Sequence, residues 1–208
     1  LQGLHRLQLA IRENRFQLYH QPIVPAFGTN GTGPALEVLV RLRDTSGGDL
    51  APAAFMHAAE RYRLTTSIDR WVVQTTLGVA PSRVCFELSE AAVAANLEQA
   101  RRFIQVLHGT GCQFALDDFG AGAGSFLNLK TLPVDFVKID GSFMKNLGTD
   151  SVNRAMVDAM VKLARTLDFR VIAEAVEDEA ALEAARSMGV DYIQGYAIAR
   201  PAPLPMAA

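Results

Sequence analysis

The sequence predicts an α/β fold in which strands and helices alternate along the chain. From Val84 onwards, short apolar runs of strand length are separated by amphipathic segments of helical length, a pattern typical of a parallel sheet covered by helices. Polar residues stand at the ends of at least five apolar runs, and a (β/α)8 barrel gathers such residues at one face. No glycine-rich phosphate loop follows any strand, which disfavours an open nucleotide-binding sheet. We therefore predict a (β/α)8, TIM-like barrel.

The N-terminal part of the chain predicts two strands and three helices. Amphipathic periodicity indicates a helix over Leu4–Asn14, and apolar runs bounded by turn residues indicate strands over Phe16–Val24 and Leu36–Leu42. Pro52 suits a first helical turn and begins a helix that runs to about Arg61. Ser67 is predicted to cap the third helix.

The remainder of the chain predicts a regular series of strands and helices. The strands are Val84–Leu88, Gln113–Asp117, Phe136–Asp140, Val171–Ala175 and Tyr192–Gln194. The helices between them begin at Asn96, near Ser125, at Ser151 as a cap, and at Asp178.

Composition indicates an ordinary soluble globular domain. The chain has 208 residues, a net charge of -2 and a pI near 6.1, which gives no basic surface for DNA or RNA. No apolar stretch approaches the roughly 18 residues that a membrane span requires, so we expect no membrane insertion. Cys85 and Cys112 lie in apolar surroundings and are expected to be buried free thiols, in keeping with a cytoplasmic location. The chain begins at Leu1, and we expect it to be the C-terminal part of a larger multidomain signalling protein.

The charged strand ends indicate a shared polar site. Burying an unpaired charge costs several kcal/mol, so core strands do not normally carry carboxylates in succession. Here Glu37, Asp117, Asp118 and Glu174 all adjoin apolar runs. Lys138 lies between Val137 and Ile139, and an unpaired buried lysine is costly, which favours a functional role for it.

Seven short motifs follow one another along the chain. They are Tyr19-His20-Gln21-Pro22-Ile23, Glu37-Val38-Leu39-Val40-Arg41, Phe86-Glu87-Leu88-Ser89-Glu90, Asp117-Asp118-Phe119-Gly120, Lys138-Ile139-Asp140, Ala173-Glu174-Ala175-Val176-Glu177 and Gln194-Gly195-Tyr196. In this order they resemble the motifs of the EAL domain, a bacterial family that binds and often hydrolyses cyclic di-GMP. The resemblance covers about Leu4 to Pro203.

The resemblance implies a set of site residues. Hydrolysis of a phosphodiester with two divalent ions requires hard oxygen ligands and a nearby cation. Glu37, Glu87, Asp117 and Asp118 would hold Mg²⁺ or Mn²⁺ if the domain is active, and Lys138 and Glu174 would then be catalytic. The implied ligand-binding residues are Gln21, Glu37, Leu39, Arg41 (as a phosphate partner), Asp118, Phe119, Gly120, Lys138, Glu174, Glu177, Gln194 and Pro201 (near a guanine). Glu90 and Asp140 are interpreted as structural, capping or bracing loops.

The chain departs from the family pattern at three places. Val38 replaces the alanine of the signature motif, and strand alternation turns it away from Glu37 and Leu39. The loop after the aspartates carries Ala121, Ala123 and Gly124 where active relatives typically carry hydroxyl residues. A strand that ends in a metal-binding asparagine, with its helix, is absent between Leu77 and Val84, so one βα unit of the barrel is missing.

A barrel that lacks an internal strand would expose two apolar edges. We therefore expect residues to be missing from the printed sequence between Leu77 and Val84. A real deletion or an exchanged strand is the alternative.

These departures resemble the degenerate EAL domains of the FimX type. That resemblance implies a cytoplasmic cyclic di-GMP receptor that binds the dinucleotide without efficient hydrolysis and needs no cofactor to bind it. It also implies a PilZ-type protein partner in type IV pilus assembly and twitching motility. The alternative is an active phosphodiesterase, dependent on Mg²⁺ or Mn²⁺, that yields linear pGpG. A purely structural interaction domain fits least well, because the polar constellation is retained.

Overall fold

The computed structural model describes residues 2–28, 33–44, 47–75, 82, 84–122 and 129–204. The chain forms two compact units. Unit 1 comprises Leu1–Gln21, Glu37–Val79 and Pro201–Ala208, and unit 2 comprises Pro22–Leu36 and Ala80–Arg200.

The described strands and helices alternate, as the sequence predicts for an α/β fold. The strands are β1 Phe16–Pro22, β2 Val24–Pro25, β3 Leu36–Arg43, β4 Asp49–Leu50, β5 Cys85–Ser89, β6 Gln113–Phe119, β7 Phe136–Ile139, β8 Arg170–Ala173, β9 Tyr192–Ile193 and β10 Ala202–Pro203. The helices are α1 Gln2–Arg12, α2 Met56–Arg61, α3 Thr65–Thr75, α4 Glu90–Ala95, α5 Leu97–His108, α6 Ser151–Thr166 and α7 Glu179–Ser187. Short 3-10 turns cover Pro52–Ala54 and Gly141–Phe143.

Unit 1 is built on a four-stranded sheet with the order β10-β1-β3-β4. Its core is aromatic and aliphatic, and the Phe16 ring lies 5.8 Å from that of Phe55 and 5.5 Å from that of Trp71. Val40 and Leu42 of β3 pack in this core. Because side chains alternate along a strand, the opposite face of β3 carries Glu37, Leu39 and Arg41, and Val38 lies on the same face as Val40 and Leu42.

Unit 2 contains a six-stranded sheet with the order β2-β9-β8-β7-β6-β5. Strands β5 to β9 run parallel to one another, and β2 pairs antiparallel with β9 at one edge. The apolar faces of α5, α6 and α7 belong to one large core with the sheet. Since the carboxyl ends of parallel strands meet at one edge of a sheet, the charged residues of β5 to β8 are brought to the same edge.

All seven predicted strands are present, with ends that differ by a few residues. The structure adds β2, β4 and β10, which have only two residues each and therefore show no periodicity in the sequence. It also adds the six-residue helix α4 directly after β5. The predicted helix near Ser125 and the segment between Leu77 and Val84, where a βα unit is missing, lie outside the described residues, except for Ser82 and Leu129.

Both predicted caps are wrong, whereas two predicted helix starts are correct. Helix α3 begins at Thr65, because the Leu64 carbonyl already accepts hydrogen bonds from the Ser67 and Ile68 amides, so Ser67 lies within the first turn. Helix α6 is capped by Asp150 instead of Ser151. Asn96 and Asp178, predicted as the first residues of their helices, cap α5 and α7, and each accepts a hydrogen bond from an amide three residues ahead.

The cysteines are free, as expected. Cys112 is buried and Cys85 is half-buried, and burial raises the pKa of the Cys85 thiol to about 12. In the described part of the chain, no helix combines the length and the apolar character that crossing a membrane requires.

Removing the α6 cap tests the corrected assignment. The Asp150 carboxylate accepts hydrogen bonds from the amides of Val152 (2.8 Å) and Asn153 (3.1 Å), which the helix itself leaves without acceptors. We expect Asp150→Ala to lower the free energy of unfolding by about 1 kcal/mol. Ser151→Ala, measured by the same urea titration, should leave it unchanged within about 0.5 kcal/mol. The reverse order of the two effects would restore Ser151 as the cap.

Candidate functional site

The centre of the site in unit 2 is a fully buried lysine among carboxylates. Lys138 lies in the middle of β7, and its side chain is 0% exposed. Its Nζ atom lies 2.8 Å from Glu87 Oε1, 2.5 Å from Glu174 Oε1 and 3.6 Å from Asp117 Oδ1. The three carboxylates come from β5, from β6 and from the residue after β8. The ammonium group is therefore compensated by charge, which makes its burial tolerable.

A bulge in β6 brings two neighbouring aspartates to this edge. Leu116 pairs with Val137 and Phe119 pairs with Ile139, so Asp117 and Asp118 together stand opposite the single residue Lys138. Asp118 adopts a left-handed backbone conformation with φ of 57°, which aspartate tolerates better than most residues. In a regular strand the two side chains would point to opposite faces. The extra residue removes that alternation.

Asp117, Asp118 and Glu174 form a group suited to a divalent cation. Each offers one carboxylate oxygen, and these oxygens all lie within 4.8 Å of one another. Hard oxygen ligands of this kind suit Mg²⁺ and Mn²⁺. Burial, followed by the neighbouring Asp117 and Asp140 carboxylates, raises the pKa of Asp118, whereas Lys138 lowers it. The site therefore holds surplus negative charge that a bound cation would neutralise.

The segments after β8 and β9 hold each other in place. The Val176 amide donates to the Gln194 carbonyl (3.0 Å), and the Val176 carbonyl accepts from the Ala197 amide (2.9 Å). Gly195 has φ of 153°, and a Cβ atom there would stand 2.7 Å from the Val176 carbonyl carbon and closer still to its nitrogen and oxygen. Gln194 is 3% exposed. This close backbone contact fixes Gln194 relative to Glu174.

Glu90 and Asp140 have structural contacts, in keeping with their interpretation. Asp140 caps the Gly141–Phe143 turn by accepting a hydrogen bond from the Ser142 amide at 2.9 Å. Glu90 is 8% exposed, and its Oε1 atom would lie 2.7 Å from a Cβ atom on Gly122. Its carboxylate therefore lies directly against the loop that follows the aspartate pair.

The remaining predicted site residues differ in how far they are exposed to solvent. Phe119 is fully buried in the core and Glu177 is exposed. Gly120 has φ of 97° and is half-buried. In unit 1, Gln21 is 9% exposed, and Glu37, Leu39, Arg41 and Pro201 are half-buried. Strand alternation places Glu37, Leu39 and Arg41 on one face of β3, as the sequence predicts.

Sequence reasoning missed the bulge and therefore did not explain how Asp117 and Asp118 share a face. The only sequence signal is the pair of adjacent carboxylates in an otherwise apolar strand, followed by Gly120. It also did not anticipate that Glu87 and Glu174 are direct partners of Lys138.

Comparison with protein families and solved structures agrees with this geometry. The EAL domain, as a sequence family, matches residues 4–80 and 77–201. The cyclic di-GMP phosphodiesterase PdeB of Shewanella oneidensis is 34% identical over 239 residues, which covers 96% of this chain and 28% of that protein. The cyclic di-GMP phosphodiesterase PdeF of Escherichia coli is 34% identical over 242 residues, covering 97% of this chain and 32% of that protein. The chain thus spans about a third of the length of these relatives.

Two solved structures are similar over nearly the whole chain. The MucR phosphodiesterase in complex with c-di-GMP gives a TM-score of 0.86 at 29% identity and covers 98% of each chain. The FimX EAL domain from Pseudomonas aeruginosa, bound to c-di-GMP, gives a TM-score of 0.87 at 29% identity and covers 96% of each chain. With the sequence match and the carboxylate–lysine site together, the chain belongs to the EAL domain family.

Proposed function

We propose that this chain is a cyclic di-GMP receptor domain of a larger signalling protein. It binds the dinucleotide without efficient hydrolysis and transmits the bound state to a protein partner. By resemblance to the FimX type, that partner is a PilZ-type protein acting in type IV pilus assembly. We propose that binding uses the residues implied by the resemblance, which are Gln21, Glu37, Leu39, Arg41, Asp118, Phe119, Gly120, Lys138, Glu174, Glu177, Gln194 and Pro201.

Ligand binding is supported by the two solved relatives that hold c-di-GMP and by the intact polar edge of unit 2. Lys138 offsets part of the negative charge of Glu87, Asp117 and Glu174 within the protein itself. A carboxylate cluster that contains an internal cation repels an anionic ligand less than the carboxylates would alone.

The break in the family match is the observation that carries the loss of turnover. The matched segments meet at residues 77–80, and the alignment with PdeB extends over 239 residues although this chain has 208. The relative therefore contains residues that this chain lacks. We propose that the missing residues include the βα unit with the asparagine metal ligand, and that their absence is a real deletion, the alternative that the sequence leaves open. Two further changes lie next to family metal ligands in the sequence. Val38 follows Glu37, and the loop with Ala121, Ala123 and Gly124 follows Asp117 and Asp118.

An active phosphodiesterase is the second candidate, and a specific observation favours it. Asp117, Asp118 and Glu174 retain oxygens close enough to hold a divalent ion. Mg²⁺ or Mn²⁺ bound there, with Glu37 and Glu87 as further family ligands, would supply an activated water for attack on the phosphodiester. Lys138 would then stabilise the negative charge that develops on the phosphate.

Calorimetric titration with cyclic di-GMP separates the two functions. For the receptor, we expect the Kd in EDTA and in Mg²⁺ to agree within about threefold, because binding through Arg41 and the other polar side chains requires no metal. Chromatography of the same samples should show the cyclic dinucleotide intact after prolonged incubation with Mg²⁺ or Mn²⁺. Many turnovers to linear pGpG would instead establish the phosphodiesterase. Absence of binding under both conditions would contradict both.

A further inference from the structure

Arg41 is held by an aromatic ring in place of a carboxylate. Its guanidinium carbon lies 5.3 Å from the centre of the Tyr19 ring, and one of its nitrogens donates to the Val40 carbonyl at 3.0 Å. Among the described residues, Arg41 forms no ion pair. Its positive charge is thus oriented but not neutralised, as binding to an anion requires.

The tyrosine is itself fixed by a hydrogen bond that spans a strand. In the sheet order β10-β1-β3-β4, Tyr19 of β1 and Asp49 of β4 lie on either side of β3, which carries Arg41. The Tyr19 hydroxyl donates to Asp49 Oδ2 at 2.7 Å. This bond crosses the face of β3 on the side of Arg41 and prevents the ring from turning away.

The Asp49 carboxylate already has two partners. One oxygen accepts the hydrogen bond from the Tyr19 hydroxyl, and the other lies 3.5 Å from Arg43 Nε. The hydrogen bond to Asp49 also raises the pKa of Tyr19, which keeps the hydroxyl protonated as a donor. An ion pair between Asp49 and Arg41 would neutralise the positive charge that binds a phosphate. The contacts of Asp49 with Tyr19 and Arg43 occupy its carboxylate oxygens instead.

We infer that Tyr19 and Asp49 are positioning residues that hold the Arg41 guanidinium, close to the Tyr19 ring and without an ion pair among the described residues, for a phosphate of the bound ligand. This role rests on the proposed function, in which Arg41 is the phosphate partner. Neither residue needs to touch the ligand. The phenol ring holds the guanidinium in place, and the Asp49 carboxylate holds the ring.

The pair Asp49→Asn and Asp49→Ala isolates the hydrogen bond from the charge. Both variants remove the same negative charge, which on its own would strengthen binding of an anion. Asparagine still offers an acceptor for the Tyr19 hydroxyl, whereas alanine does not. We expect cyclic di-GMP to bind Asp49→Ala about threefold to tenfold more weakly than Asp49→Asn in EDTA, from loss of one hydrogen bond. Equal affinities for the two variants would overturn the role of Asp49.

Substitutions at Tyr19 test the ring. Tyr19→Phe should weaken binding about threefold to tenfold by freeing the ring. Tyr19→Leu should weaken it further, by about tenfold to thirtyfold, through loss of the stacked face. Tyr62→Leu is the matched control, because it removes a ring 6.0 Å from another arginine, Arg61, outside the proposed site. Its Kd should equal that of the wild type. Thermal unfolding of each variant reports any loss of folding separately.

A double-mutant cycle with Arg41→Ala distinguishes positioning from a general structural role. In the Arg41→Ala background, Tyr19→Phe should have no further effect on the Kd, because the group it positions is gone. An additive loss would overturn the inference.

The NMR resonance of the Arg41 Nε–H should also move in Tyr19→Leu, since the ring no longer shields it. If the wild type binds cyclic di-GMP and Arg41→Ala weakens that binding while Tyr19→Phe does not, the positioning role alone fails. If the wild type does not bind, the proposed function fails and the positioning role with it.

Discussion

Replacing Lys138 by methionine is expected to lower the free energy of unfolding by about 2–4 kcal/mol in the absence of divalent cations. Methionine fills a similar volume, so the loss comes from charge and not from a cavity. Glu87, Asp117 and Glu174 would then face one another without the ammonium group that lies 2.5–3.6 Å from them. Their side chains remain 19–27% exposed, so water relieves part of the repulsion and places the cost towards the lower end of that range.

Urea denaturation followed by far-ultraviolet circular dichroism measures this loss. Lys162→Met is the control, because Lys162 pairs with Asp158 at 2.6 Å but its side chain is 71% exposed. An exposed pair of this kind is worth no more than about 0.5 kcal/mol. Added Mg²⁺ should stabilise the Lys138 variant more than the wild type, since it supplies the missing positive charge. Equal stabilities of the two lysine variants would show that the buried cluster does not need its cation.

Replacing Gly195 by alanine is expected to cost about 3 kcal/mol or more, because the new methyl group meets backbone and not a side chain. The φ of 153° is a conformation that residues with a Cβ rarely adopt, and the Val176 backbone occupies the space of the methyl. Val176 cannot yield without losing its hydrogen bonds to Gln194 and Ala197. Glu174 and Gln194 would move with it, so ligand binding should fall together with stability.

Gly48→Ala provides the comparison for this variant. A Cβ atom at Gly48 meets nothing within 4 Å, so we expect its unfolding free energy to stay within about 0.5 kcal/mol of the wild type. The same urea titration serves for both variants. A Gly195→Ala protein as stable as Gly48→Ala would mean that the contact between the two loops is not rigid.

The sequence predicts the strands of unit 2 well because burial on both faces leaves unbroken apolar runs, as in Phe136–Ile139. It predicts Lys138 as functional for the same reason, since a charge in such a run requires partners. It does not predict which partners these are, because Glu87 and Glu174 are 51 and 36 residues away from Lys138 in the chain and meet it only through the strand order.

The errors at helix ends have a common cause. Asp150 and Ser151 are both good caps, and the choice between them depends on which backbone amides lie free, not on the residue types. Two-residue strands such as β4 escape prediction because they contain no alternation. The sequence therefore does not indicate a role for Asp49 in β4, which accepts the hydrogen bond from Tyr19. The residues around Arg41 are recognisable because they form a motif.

Because β6 contains a bulge, the placement of Asp117 and Asp118 on one face depends on the number of residues in the strand as well as on their identity. Removing Asp118 alone would restore regular pairing of Asp117 with Lys138 and of Phe119 with Ile139, and would leave the ladder more regular than before. A scan by point substitution keeps the length of the strand constant and never samples this dependence. In a chimera that exchanges β6 with a relative, the number of residues between Leu116 and Phe119 has to be conserved before their identities matter.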